Sequence, residues 1–252
     1  MRIIVAGSKG YIGTAVLLRT LQVPAVTHIY ALSRASQDTP NTAVSRPHSK
    51  VTEIQLTDSE FQQWPQELLD QFAKVGVKAC IWCIGGPPGS FPNTDAAETA
   101  NIDLPLEAAM ALSRALVPDK TFRFVYLSVA GAERNTNATL WTQAHLRRMK
   151  GAAENKLLEV QEAFEAEHGQ GMLEVFCLRL GTVLKGGKTA YNIVQEGMYT
   201  SINMERFVAV CCEIAMNGWF EDEGGKRKGG VVENAEMLGP DWAEVNKLPA
   251  FS

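Results

Sequence analysis

A short apolar run, Ile3-Ile-Val-Ala6, leads directly into Gly7-x-x-Gly10-x-x-Gly13, and Thr14 to Leu21 then carries helical spacing. No other stretch constrains the chain as much. A buried strand, a glycine turn and a helix N-terminus in succession form an anion site, because backbone N–H groups and the helix dipole converge on one point. Gly7 allows the sharp turn, Gly10 a close backbone approach to phosphate, and Gly13 tight packing of helix on strand. The turn residues Gly7, Ser8, Lys9, Gly10, Tyr11, Ile12 and Gly13 are therefore the first expected nucleotide contacts. The spacing is not G-x-G-x-x-G, so its meaning comes from its place after an uninterrupted strand.

The rest of the chain repeats the alternation. Strands are expected at Arg2–Ala6, His28–Ser33, Thr52–Gln55, Ala79–Ile84, Phe122–Ser128 and Leu173–Leu180. Helices are expected at Tyr11–Leu21, Glu60–Val75, Ala97–Leu116 and Thr142–Glu167. This rhythm predicts an α/β fold: a Rossmann-like, doubly wound parallel sheet with helices on both faces. Ligands in such sheets sit at the carboxyl ends of strands, where Gly7, Arg34, Gly85, Ser128 and Gly181 fall. After Thr182 the character changes. Lys185–Thr200 reads as loop, Ile202–Asn217 as an apolar-faced helix, Glu221–Gly230 as a solvated turn, and Gly229–Glu233 as a short strand. The chain is thus expected to be one domain over residues 1–252, with 185–252 forming a small C-terminal cap on the substrate side.

Composition narrows the partners. A net charge of −4 over 252 residues does not suit a phosphate backbone, so no nucleic acid is expected. No apolar run approaches the roughly 18–20 residues of a membrane span, so the expectation is a cytoplasmic chain with no membrane partner and a small-molecule substrate. Cys80, Cys83, Cys177, Cys211 and Cys212 lie in apolar segments. The Cys80-x-x-Cys83 pair would point to opposite faces of a strand, which suits neither a metal nor a disulfide. The four histidines, His28, His48, His145 and His168, lack ligand spacing, so no metal is expected.

The second strand ends Ser33-Arg34, with no acid before Asp38. An acid at that strand end takes the ribose hydroxyls of NAD; an arginine pairs with a 2′-phosphate, so NADP (NADPH) is favoured over NAD. Ser33 adds a hydroxyl to the same phosphate. In Gln55-Leu-Thr57-Asp58, two readings stand equal: a lining for the adenine pocket, with Thr57 a contact, or the cap of the next helix. Gly85 and Gly86 at the fourth strand end let the backbone approach a ribose or pyrophosphate.

Together these features resemble the short-chain dehydrogenase/reductase superfamily, and within it the atypical NAD(P)-binding group with NmrA-like and Tat-interacting-protein-like members. The resemblance also rests on Tyr126-Leu-Ser-Val-Ala-Gly-Ala132, on Lys150 with Glu154, and on Arg179-Leu-Gly-Thr182. It implies that Leu180, Gly181 and Thr182 touch the cofactor. It also implies a catalytic Ser128 orienting the substrate oxygen and a Lys150 holding the nicotinamide ribose. The family tyrosine, four residues before the lysine, is Leu146 here. Leu146 also fits an apolar stripe with Met149, Ala153, Leu157, Val160 and Phe164, and Lys150 fits a surface pair with Glu154. His145 points about 100° away around the helix and is not assigned the acid role; Tyr191 and Tyr199, after the sixth strand, are either substitute donors reaching in from the cap or ordinary packing residues. The first function expected is an NADP(H)-dependent oxidoreductase on a small organic substrate. The alternatives are a non-catalytic redox-sensing regulator, or an isomerase or cyclase. Helices 97–116 and 142–167 could pair in a homodimer or simply cover the sheet.

Overall fold

The computed structural model describes residues 1–35, 48–116, 121–135, 137–184, 201–220, 226–227 and 229–239. Its main sheet has seven strands in the order β11-β6-β5-β4-β1-β2-β3. These are β1 (Arg2–Ala6), β2 (His28–Arg34), β3 (Val51–Leu56), β4 (Val77–Trp82), β5 (Phe122–Val129), β6 (Leu173–Leu180) and β11 (Gly230–Val232). Every pairing is parallel. The order turns back at β1, between β2 and β4, which makes the carboxyl end of β1 the switch point where a ligand crevice opens. The doubly wound sheet is as expected, extended by one edge strand.

Alternate residues of each strand feed two cores. Ile4, Ala6, Trp82, Phe124 and Tyr126 face helices α2 (Asp58–Gln62), α3 (Gln66–Val75), α5 (Leu104–Leu116) and α6 (Ala144–His168). Ile3, Val5, Ile81, Val125 and Leu127 face α1 (Tyr11–Gln22) and α7 (Met204–Asn217). Burial on both faces is why these strands read as unbroken apolar runs. Cys80 joins the first core and Cys83 packs against the second, on opposite faces as their spacing requires.

Two helices depart from expectation. The helix anticipated over Glu60–Val75 is two, because Pro65 lacks the N–H that a continuous helix needs and instead caps α3. The helix anticipated over Ala97–Leu116 starts earlier, as α4 (Thr94–Glu98), and passes through a π-helical turn at Thr99–Asp103 before α5. The C-terminal segment is woven into the sheet where it is described: α7 packs against α1, and β11 pairs with β6. Short pairs join β7 (Thr182–Leu184) to β8 (Ser201–Asn203) and β9 (Trp219–Phe220) to β10 (Lys226–Arg227); α8 (Asn234–Met237) follows β11. The remainder of the expected cap, with Tyr191, Tyr199 and residues 240–252, lies outside the described residues, as does Asp38. No helix among the described residues is long and apolar enough to cross a membrane.

Candidate functional site

The glycine turn is locked by its own backbone. Gly7 N–H and Ser8 N–H both donate to Leu32 O, at 2.9 and 3.1 Å, and Gly10 N–H donates to Gly7 O at 2.9 Å. Gly7 has φ +79°, a conformation that favours glycine. A Cβ on Gly13 would lie 2.0 Å from Gly7 O, so only glycine lets α1 seat on the turn. Helix α1 carries no side-chain cap and no acid in its first turn, which leaves its positive end facing the crevice.

A cleft of about 420 Å³ opens there. Gly7, Lys9 and Gly10 line one wall, Ser33, Arg34 and Asp58 the second, and Cys83, Ile84 and Gly85 the third. A neighbouring cavity of about 290 Å³ shares Arg34 and Asp58, and is otherwise lined by Gln62, Phe91, Pro92, Ala96, Thr99, Ala100 and Leu104. Several anticipated contacts are not among the residues that line the cleft. The Ser8 hydroxyl donates to Leu32 O, and Ile12 packs against a core. Tyr11 is exposed at the start of α1. Thr57 is the N-cap of α2, in a capping box with Glu60. The cap reading of that segment therefore holds for Thr57, while Asp58 beside it is the residue that lines the cleft.

Beyond Gly85 the site turns inward. Asn101, fully buried in the π-helical turn, accepts from Gly86 N–H and donates to Gly86 O, both at 3.1 Å, and donates to Ala97 O at 2.8 Å. One amide thereby pins the loop after β4. Tyr126 Oη donates to Asn101 O at 2.8 Å. A Cβ on Gly85, which has φ +132°, would meet Asn101 Oδ1 at 2.8 Å and Lys150 Nζ at 3.1 Å. Lys150, one turn after Leu146, is buried; its ammonium donates to Leu127 O at 2.9 Å and lies 4.6 Å from the Tyr126 ring centre. The surface reading of Lys150 is thus replaced by a buried cation between β4 and β5. Loss of water around it lowers its pKa to about 8, partly offset by the Glu154 carboxylate.

Glu154 is wholly buried and engaged from two strands. Ser128 Oγ donates to Glu154 Oε1 at 2.5 Å. Arg179 grips both oxygens, Nε at 3.0 Å and Nη2 at 2.7 Å, and reaches Glu233 Oε1 with Nη1 at 2.8 Å. The doubly bonded carboxylate holds the Arg179 pKa above its ordinary value. Ser128 thus gives its one proton to Glu154. Leu146 is half-buried and belongs to neither apolar core cluster, whereas Ala153, Leu157 and Phe164 of the same helix do. His145 lies 3.5 Å from Glu98 at the surface. Leu180 sits in a core, Gly181 N–H donates to Asn234 Oδ1 at 2.9 Å, and Thr182 begins β7; none of the three lines the cleft. Among the described residues, no group of three or more His, Cys, Asp or Glu could hold a metal ion.

Asn101, and the joining of Ser128, Glu154 and Arg179 into one network, were not singled out from sequence, and Asp58 entered only as part of the Gln55–Asp58 segment. A polar residue in the apolar stripe Ala97, Ala100, Leu104 was the available sign for Asn101. For Glu154, the sign was its place one turn beyond Lys150, on the same helix face.

Solved structures share this architecture. An NADPH-dependent reductase involved in bacilysin biosynthesis, YwfH, is 16% identical with a TM-score of 0.61, over 92% of this chain and 98% of that one. A short-chain dehydrogenase from Burkholderia cenocepacia, in complex with NADP, is 15% identical with a TM-score of 0.60, over 99% and 97%. A UDP-glucuronic acid 4-epimerase from Bacillus cereus, in complex with UDP-glucuronic acid and NAD, is 13% identical with a TM-score of 0.60, over 92% and 77%. No curated protein sequence matches significantly. The profile of the NAD-dependent epimerase/dehydratase family matches residues 3–190. With the glycine turn, the switch-point cleft and the buried lysine inside that span, the chain belongs to the NAD-dependent epimerase/dehydratase family.

Proposed function

We propose that the chain is an NADP(H)-dependent oxidoreductase of the atypical short-chain type, acting on a small organic substrate in the cytoplasm. The observation that carries this is the cleft at the switch point, where Lys9 on one wall and Ser33 and Arg34 on another bring two cations and a hydroxyl to the same space. That lining suits a 2′-phosphate. The glycine turn fits a dinucleotide, since its shape needs glycine: a Cβ at Gly7 would meet the backbone of Cys83 and Ile84, and one at Gly13 the Gly7 carbonyl. When bound, the nicotinamide supplies hydride transfer. Lys150 holds the ribose next to it and keeps a positive charge beside the reacting centre. Ser128 Oγ, whose proton goes to Glu154, accepts from the hydroxyl of an alcohol substrate; to hold a carbonyl oxygen it turns that proton from Glu154 to the substrate. Leu146 offers an apolar wall where relatives place an acid, so the proton comes from water, the substrate or a residue after Thr182.

A second reading has its own support. With Leu146 unable to move a proton and Ser128 Oγ committed to Glu154, the chain could bind NADP(H) without turning it over, as a redox-sensing regulator. NADPH absorbance followed with a panel of small carbonyl and enone compounds separates the two. Substrate-dependent loss of absorbance supports the oxidoreductase. Tight nucleotide binding with no turnover across the panel favours the regulator, and rearrangement of a compound without NADPH loss favours an isomerase.

A further inference from the structure

We propose that Asp58 is a second determinant of nucleotide choice, acting against Arg34 at the same end of the cleft. The proposal rests on the nucleotide reading above.

Strand β2 ends in Ser33-Arg34 and supplies no acid for a ribose. The fold supplies one from the neighbouring strand. β3 lies beside β2, with Arg34 in register with Leu56, so the chain leaving β3 passes Arg34 two residues later. There Asp58 Oδ1 lies 3.8 Å from Arg34 Nη1, with both side chains exposed and both lining the nucleotide cleft and the cavity beyond it. The position is not loose. Thr57 accepts from Glu60 N–H, and Glu60 accepts from Thr57 N–H at 2.7 Å, which fixes the start of α2 and the backbone of Asp58 with it.

Two ligands meet this pair differently. A 2′-phosphate carries one to two negative charges and approaches Arg34. The Asp58 carboxylate then stands only a few ångströms beyond the guanidinium, well inside the screening length of about 8 Å at physiological salt. It repels the phosphate and competes for the same cation. An unphosphorylated ribose presents two hydroxyls, which a carboxylate can accept. Asp58 therefore weakens NADP and favours NAD, while Arg34, with Lys9 on the opposite wall, does the reverse. The chain is accordingly a moderate discriminator that admits both nucleotides, with NADP ahead.

ADP-ribose and 2′-phospho-ADP-ribose, which differ only in the disputed group, test this by calorimetric titration of wild type, Asp58→Asn and Arg34→Ala. Asp58→Asn should raise the preference for the 2′-phosphorylated compound by about 3–5-fold, as expected for one exposed charge. The gain should shrink at high salt, and Arg34→Ala should move the preference the other way. An unchanged preference in Asp58→Asn, with both compounds still binding, overturns the role of Asp58 and leaves the nucleotide reading intact. Failure of wild type to bind either compound overturns both.

Discussion

Lys150 carries the sharpest test at the level of single residues. Its ammonium is buried, and its pKa falls from 10.5 to about 8 because water is excluded. Below about pH 8 folded and unfolded chains both hold the proton, so the cost of burying it is fully present. Between about 8 and 10.5 the unfolded chain binds more protons, and stability from this group rises with pH. Lys150→Met should therefore raise Tm at pH 7, by roughly 2–4 °C for each kcal/mol relieved, with the gain fading toward pH 10. Differential scanning calorimetry at both values checks this, and a lower Tm at both would contradict it. The glycine turn was legible because its chemistry is local: Gly7, Gly10 and Gly13 do their work within a few residues. The absence of tyrosine at Leu146 was equally plain. The pairing of Asp58 with Arg34 was not, because the two meet only across two paired strands.

Among the elements, the helix through Thr94–Leu116 matters most to the site. Its π-helical turn brings Asn101 onto Gly86, and π turns often mark functional sites. Asn101→Ala removes three hydrogen bonds, two of them to the half-buried backbone of Gly86, a loss of about 0.5–1.5 kcal/mol each. Urea unfolding should register that loss. Nucleotide affinity should fall with it, because the Gly85 wall is no longer held; an unchanged affinity would show that the loop holds its shape alone. Periodicity located this helix but could not reveal one extra residue per turn. The break at Pro65 was written in the sequence, yet the apolar spacing across it suggested a single helix. Gly229–Glu233 was legible as a strand, but its partner was not: β11 lies beside β6, and a side chain at Gly229 would meet Gln161 and Val175.

The whole molecule is tied together behind the site by Glu154. This carboxylate joins α6 to Ser128 of β5 and Arg179 of β6, and through Arg179 to Glu233 between β11 and α8. Glu154→Gln leaves a guanidinium without its main charge partner, and loss of one member of a buried pair costs about 3–5 kcal/mol. Denaturant unfolding should show a fall of that size, against a much smaller one for Glu233→Gln, whose carboxylate is half exposed. Lys150 with Glu154, and Arg179, were visible as landmarks, but their meeting with Ser128 needs three elements at once. The account as a whole stands on nucleotide binding at the switch point. Calorimetric titration with NADPH, with NADH and with the Arg34→Ala variant tests that most directly. Micromolar NADPH binding, weaker for NADH and reduced by at least tenfold in Arg34→Ala, is the predicted result; binding of neither nucleotide by the wild-type chain would contradict it.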